Sequence, residues 1–167
     1  MFATDLKNMN EVVIGLGDMA VVFGPGKSIK TFALGSCVAV ILTSPQQQIA
    51  GMVHIVLPDS RIDAAKAKIK PGYYADTAIP LLIQKMRQAG ARDAMVCKIA
   101  GGGKMVQSVE TFNIGEKNYL AAEELLRNSG LFLAARDVGG VLSRTVSVSS
   151  TTGQTLLSCP GYQDWHL

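Results

Sequence analysis

The chain has 167 residues, a length that suits one domain with a sizeable hydrophobic core. Hydrophobic residues make up 48% of the chain and charged residues only 17%, below the ~25% of an average soluble protein, which predicts apolar surface patches of the kind that bind partners. The net charge of +3 comes without a block of Lys and Arg, which argues against nucleic-acid binding.

The N-terminal half predicts mainly β-structure. Runs rich in β-branched residues and bounded by turns predict strands over residues 11–16, 19–23, 38–43 and 49–56. A short helix beginning at Ser36 is the alternative for the third run. Residues 59–72 are rich in lysine and predict a surface loop, with a helical turn over residues 64–69.

The C-terminal half predicts two helices and four further strands. The first helix has Asp76 or Thr77 as its N-cap and runs to about Ala89. The second runs from about Asn113 to Asn128. The strands are predicted over residues 94–100, 131–137, 144–148 and 154–157. This order predicts a layered α/β fold in which two packed sheets carry helices on the outside.

A cysteine and a histidine lie in two apolar runs joined by a predicted turn at residues 44–48. If residues 44–47 form a four-residue hairpin loop, Cys37 faces His54, and their Cβ atoms are ~4.5–5.5 Å apart, close enough for a thiolate–imidazolium pair. A thiol beside an imidazole is the minimum equipment of a cysteine hydrolase. Because a slip of one residue would put the two side chains on opposite faces, the prediction depends on register.

Other residues near this hairpin complete the candidate site. The hydroxyl of Thr31 is placed to hold the second ring nitrogen of His54. Gly35 and Ser36 precede the cysteine, and Gly102 and Gly103 form a glycine-rich loop; these four are expected to shape the substrate and oxyanion region. Core packing of Cys37 and His54 is the competing interpretation, and spacing alone leaves the two balanced.

The cysteines and glycines exclude other classes. The three cysteines are widely spaced and odd in number, which fits neither a disulfide framework nor a zinc motif and favours a reduced, cytoplasmic setting. Cys97 lies in a predicted strand and is expected to pack in the core. The glycine stretches fail the phosphate-loop pattern. No apolar run reaches the ~18–20 residues that span a bilayer, and the N-terminus lacks a signal-peptide pattern. We expect no metal, no cofactor and no direct membrane insertion.

Several motifs resemble the chemoreceptor glutamine deamidase family, CheD, in family order over about residues 11–157. They are LGSCVAV at 34–40 with Thr31 six residues before the cysteine, HIVLP at 54–58, YADTA at 74–78, the glycine loop before Lys104, NIG at 113–115 with Asn118, and DVGG at 137–140. One deamidase domain over residues 1–167 is expected, and the tail at 158–167 has no family pattern.

The resemblance implies a fold, a reaction and partners. The fold is that of the cytotoxic necrotising factor catalytic domains, with two packed, mostly antiparallel β-sheets. The reaction is hydrolysis of glutamine side chains on methyl-accepting chemotaxis receptors to glutamate and ammonia, through Cys37, His54 and Thr31. Hydrolysis of glutamyl methyl esters and binding of the CheC phosphatase are further implications. A non-enzymatic adaptor and another thiol peptidase or amidohydrolase stay open as alternatives.

Overall fold

Two β-sheets and three α-helices make up the part of the chain that the computed structural model describes, which is residues 10–92, 94–104 and 113–167. The strands are β1 (Asn10–Ile14), β2 (Met19–Phe23), β3 (Lys27–Leu34), β4 (Val38–Ser44), β5 (Ile49–Ile55), β6 (Val96–Gly101), β7 (Leu133–Val138), β8 (Arg144–Ser149), β9 (Thr155–Ser158) and β10 (Trp165–His166). The α-helices are α1 (Ala64–Ile69), α2 (Ala75–Gln88) and α3 (Ile114–Asn128), and short 3₁₀ turns span Pro45–Gln47, Ser60–Ile62 and Pro71–Tyr73. None of the helices in these ranges has the length and apolarity to cross a membrane.

The ten strands form two mixed sheets of five strands each. Sheet A has the order β1-β3-β8-β9-β10 and sheet B the order β2-β5-β4-β6-β7. The pairs β1–β3 and β6–β7 are parallel, whereas the other six pairs are antiparallel. The predicted layered α/β fold with two mostly antiparallel sheets is confirmed.

Sheet B is the middle layer of the molecule. One apolar cluster, which includes Ala39 and Met52, fills the space between the two sheets. A second cluster, which includes Val40 and Val53, lies between sheet B and the helices α2 and α3. Strands β4 and β5 are buried along their whole length because each has a covered layer on both faces. Successive residues therefore point alternately toward sheet A and toward the helices.

Two strands in the structure were not predicted. The sequence did not predict β3 because Lys27 and Lys30 interrupt its apolar pattern. It did not predict β10 because that strand is only two residues long. Strand β3 pairs with β1 and β8 in sheet A. The chain then continues from β3 into β4 of sheet B, so β3 connects the two sheets.

The lysine-rich segment before α2 is largely helical, and the predicted caps of α2 are wrong. Tyr74 occupies the N-cap position. The Asp76 carboxylate instead accepts hydrogen bonds from the backbone N–H and the hydroxyl of Ser60, at 2.9 and 2.7 Å. The Thr77 hydroxyl donates to the carbonyl of Pro71. Both side chains hold the preceding turns in place, so neither serves as the cap. The predicted N-cap of α3, Asn113, is confirmed.

Candidate active site

Thr31 and His54 meet across the two sheets. Thr31 lies on β3 of sheet A, and His54 lies on β5 of sheet B. The Thr31 Oγ1 is 2.7 Å from His54 Nδ1 and 2.9 Å from the carbonyl oxygen of Ile14. Both side chains are buried. The predicted contact between this hydroxyl and the imidazole is therefore present, although it joins two sheets and not two parts of one hairpin.

The two hydrogen bonds of Thr31 determine the tautomer of His54. A threonine hydroxyl carries one hydrogen, and the Ile14 carbonyl can only accept. The hydroxyl therefore donates to Ile14, and the Nδ1–H of His54 donates to Thr31. This leaves Nε2 unprotonated with a free lone pair, and no partner for this buried atom occurs among the described residues. A neutral imidazole with a free Nε2 is the form that accepts a proton.

Cys37 lies where the chain crosses from sheet A to sheet B. The crossing begins at Ala33, whose φ of 56° is left-handed, and the N–H of Gly35 donates to the Ala33 carbonyl at 2.9 Å. Cys37 follows immediately before β4 and packs against the cluster between the sheets. Cys37 is a partly exposed free cysteine.

The predicted register of the hairpin is wrong by two residues. Ala39 faces His54, and Ser44 faces Ile49. The loop consists of residues 45–48 because the 3₁₀ turn ends in Gln48 with a left-handed φ of 53°. A shift of two residues preserves the face, so Cys37 is the diagonal neighbour of His54 in the layer between the sheets. Cβ atoms in diagonal pairs lie within about 7–8 Å, in reach of longer side chains.

A surface cleft of about 400 Å³ opens onto Cys37. Gly35, Ser36 and Gly103 line it, together with Ala33, Val141 and Leu142. His54 is 2% exposed and does not line the cleft. Cys37 can therefore be reached from the cleft, whereas the imidazole is shielded from solvent.

Gly102 and Gly103 of the glycine loop bind the backbone next to Ser36. The N–H of Gly102 donates to the Cys37 carbonyl at 2.8 Å, and the N–H of Gly103 donates to the Gly35 carbonyl at 2.7 Å. Because both amides are engaged in these hydrogen bonds, they are not available as oxyanion donors, although Gly103 itself lines the cleft. Their function in the structure is to fix the backbone on both sides of Ser36.

Gly101→Ala is expected to displace this segment. A Cβ at position 101 would lie 2.3 Å from the Cys37 carbonyl oxygen, and φ is +110°. Clash and backbone strain each cost ~1–3 kcal/mol, so the free energy of unfolding should fall by ~3 kcal/mol and the Gly102–Cys37 hydrogen bond should break. Chemical denaturation measures the effect. Gly130→Ala is the matched control, since φ there is also positive and nothing lies within 4 Å; an equal loss in both variants would contradict the steric argument.

Burial favours the neutral form of both Cys37 and His54. Burial raises the pKa of the Cys37 thiol. Burial also lowers the pKa of His54 from 6.5 to about 4; the charge of Asp18 opposes this shift and that of Lys70 adds to it. Near pH 7 these shifts favour a thiol and a neutral imidazole over a thiolate–imidazolium pair.

The lowered pKa of His54 predicts a pH-dependent stability. In the unfolded chain His54 takes up a proton below about pH 6.5, whereas the folded chain resists it down to about pH 4. The free energy of unfolding should therefore fall as pH drops through this window, by ~3 kcal/mol in total at about 1.4 kcal/mol per pH unit. Urea denaturation of wild type and His54→Gln between pH 7.5 and 4 measures it. A wild-type slope equal to that of His54→Gln would refute the assignment, and His166→Gln is the control.

Asp137 braces the wall of the cleft. Its carboxylate accepts hydrogen bonds from Arg144 Nε at 2.8 Å and from Trp165 Nε1 at 2.7 Å. Arg144 in turn donates to the carbonyls of Gly139 and Leu142. Through Trp165 and Arg144, Asp137 thus connects the tail to the loop that lines the cleft.

Cys97 and Asn118 are two further buried side chains. The predicted core position of Cys97 is confirmed, and burial raises the pKa of its thiol to about 12. Asn118 of α3 is fully buried beside the site, and sequence reasoning gave it no function. The available signal was a polar residue on the buried stripe of α3 formed with Gly115, Ala122 and Leu126. Nowhere in the described ranges do three His, Cys, Asp or Glu side chains come together as metal ligands.

Known proteins resemble this chain over most of its length. The family model described as "CheD chemotactic sensory transduction" matches residues 56–159. A protein of Syntrophotalea carbinolica named "Probable chemoreceptor glutamine deamidase CheD" is 42% identical over 95% of this chain and 100% of the relative. The "Chemoreceptor glutamine deamidase CheD" of Thermotoga maritima is 41% identical over 87% of this chain and 89% of the relative. A Methanococcus maripaludis protein named "Probable chemoreceptor glutamine deamidase CheD" is 40% identical over 86% of this chain and 92% of the relative. The chain therefore belongs to the CheD family.

Proposed function

We propose that this chain hydrolyses glutamine side chains of methyl-accepting chemotaxis receptors, with Cys37 as nucleophile, His54 as base and Thr31 as the group that orients the imidazole. The observation that carries the proposal is the Thr31–His54 hydrogen bond of 2.7 Å, which leaves Nε2 free. The names of the relatives supply the substrate class. Cys37 is partly exposed and lines a cleft, which gives a protein side chain access to it.

The reaction begins from the neutral pair. As the Cys37 sulfur attacks the carboxamide carbon, its proton passes to Nε2 of His54. The imidazolium then gives this proton to the departing nitrogen, which leaves as ammonia, and a thioester remains. Nε2 next removes a proton from water, the resulting hydroxide attacks the thioester, and His54 returns the proton to the cysteine sulfur. The products are glutamate and regenerated thiol.

The negative charge on the amide oxygen needs hydrogen-bond donors at the tetrahedral stage. The N–H groups of Ser36 and Cys37 donate no backbone hydrogen bond within the described part of the chain, and Ser36 and Cys37 line the cleft. We assign these two amides as the oxyanion donors. In a serine protease, loss of one such donor lowers the rate by ~10²–10³-fold.

The cleft matches a helical protein surface better than a small ligand. It is open, and Val141 on its rim is 71% exposed, which gives an apolar edge against which a partner helix can pack. The site would act on the cytoplasmic part of the receptors. The CheC phosphatase stays a predicted second partner.

Mass spectrometry of receptor fragments incubated with the protein tests the proposal against its two alternatives. A conversion of glutamine to glutamate with stoichiometric ammonia supports side-chain hydrolysis. Cleavage of the fragment backbone would instead identify a thiol peptidase. Binding of the fragment with neither change would identify an adaptor. Either of the last two results would overturn the proposed function.

A further inference from the structure

Asn118 connects the two chain segments that carry the proposed catalytic residues. Its Nδ2 donates to the carbonyl of Ser36 and to the carbonyl of Val56, both at 2.9 Å. Ser36 immediately precedes Cys37, and Val56 lies two residues after His54. One amide nitrogen on α3 therefore holds both segments at once.

The position of these carbonyls explains why such a connection is needed. The pairing between β4 and β5 ends at Val38 and Ile55. Ser36 and Val56 lie just beyond this last pair, so backbone pairing between the two strands no longer fixes their spacing. The hydrogen bonds of Asn118 join the two strands just beyond their last backbone pair. This is the end of the hairpin near Cys37 and His54.

The chemistry of the contact permits only one orientation of the Asn118 amide. Carbonyl oxygens accept and never donate, so the NH₂ group has to face both of them. Asn118 is fully buried, and its Oδ1 has no partner within the described residues. Burial of an amide with one unpaired atom costs stability. A leucine of similar size would avoid the unpaired Oδ1, but it would leave the carbonyls of Ser36 and Val56 without the two hydrogen bonds that Asn118 donates.

Helix α3, which carries Asn118, packs closely against the glycine loop. A Cβ at Gly115 would lie 2.5 Å from the carbonyl oxygens of Gly102 and Gly103, so the first turn of α3 lies directly against the glycine loop. The same loop donates to the Cys37 and Gly35 carbonyls. Asn118 thus belongs to the helix that packs against the glycine loop, and this loop in turn binds the backbone of Gly35 and Cys37.

We propose that Asn118 is a positioning residue that sets the distance between the Cys37 thiol and Nε2 of His54. The inference rests on the proposed function for its catalytic consequence, although its effect on the reactivity of Cys37 is independent of the substrate. Removal of the two hydrogen bonds lets the ends of the hairpin separate. Because a displacement of about 1 Å at reacting groups costs up to ~10²-fold in rate, kcat should fall by about that factor. KM should stay unchanged, since Asn118 is fully buried and does not line the cleft.

The variants are Asn118→Leu, which keeps the volume, and Asn118→Ser, which is smaller and leaves room for water. Asn113→Ala is the matched control because it removes the N-cap of the same helix and reaches neither carbonyl. All three should lower the melting temperature, and the fraction folded is measured for each by circular dichroism. Only the Asn118 variants should lose kcat after correction for the folded fraction. If kcat in the folded Asn118 variants equals that of Asn113→Ala, the proposal is overturned.

A double-mutant cycle on Cys37 alkylation supplies a readout that needs no substrate. Iodoacetamide labelling at pH 7 is followed at each cysteine by mass spectrometry, with Cys159 as the internal reference. In the wild-type background His54→Gln should slow labelling of Cys37 by ~10-fold or more, because the base is lost. In either Asn118 background the same change should have no effect. An equal effect of His54→Gln in all backgrounds would overturn the proposal.

Failure of the proposed function and failure of the positioning role of Asn118 give different experimental results. If receptor glutamines are not hydrolysed and the alkylation cycle still shows coupling, the proposed function fails and the positioning role of Asn118 stands. If glutamines are hydrolysed and the Asn118 variants keep both kcat and coupling, the positioning role fails alone.

Discussion

Replacement of Cys37 by alanine is expected to abolish glutamine hydrolysis. In the proposed mechanism the sulfur forms the covalent intermediate, and loss of a nucleophile in a comparable hydrolase costs ~10⁴-fold or more in kcat. The fold should tolerate the change because the thiol is partly exposed at the cleft. Ammonia release and site-resolved mass spectrometry on a receptor fragment give the rate.

Cys159→Ala is the matched control for this experiment. Cys159 is also a partly exposed free cysteine, and its sulfur contacts the carbonyl of Pro160, outside the site. This variant should keep the wild-type rate. Residual hydrolysis of the same order in Cys37→Ala and Cys159→Ala would remove Cys37 from the mechanism.

His54→Gln is expected to produce the second large loss, of ~10²–10⁴-fold at pH 7. Without the base, only the small population of free thiolate reacts. Because burial raises the pKa of the Cys37 thiol, this population is small at neutral pH and grows about tenfold per pH unit as pH rises toward that pKa. The variant should therefore recover part of its activity in alkaline solution, whereas the wild type should be nearly flat from about pH 5 to 8.

A pH series of kcat/KM for both proteins measures this difference. The wild-type rate should decline in acid only near the pKa of His54, about 4, because protonation of Nε2 removes the base. An acid decline of the wild type between pH 6 and 7, or a flat profile for His54→Gln, would contradict general-base catalysis by a buried neutral imidazole.

Much of the fold follows from local patterns. Strands β2, β4 and β5 and helices α2 and α3 have strong apolar periodicity and clear turn or cap residues, and each was predicted within about two residues. The hairpin register was missed because it depends on a single loop residue, Gln48, that adopts a left-handed conformation. Asparagine and glycine mark such positions more often than glutamine does.

The site itself depends on contacts that a local pattern does not contain. The pairing of Thr31 with His54 joins two sheets, and β3, which carries Thr31, was not recognised as a strand. The neutral resting state of the site follows from burial of His54, which a position in an apolar run suggests and does not quantify. Asn118 is separated from the residues that it holds by more than 60 positions along the chain.

Nitrogen-15 NMR of the histidine rings at pH 7 reports which ring nitrogen of His54 carries hydrogen. His166→Gln assigns the signals, since the chain has two histidines. The structure predicts a neutral His54 ring with hydrogen on Nδ1 and none on Nε2, and Thr31→Val should reduce the preference for this tautomer. A doubly protonated ring at pH 7 that becomes neutral in Cys37→Ala, or a neutral ring with its hydrogen on Nε2, would contradict the account.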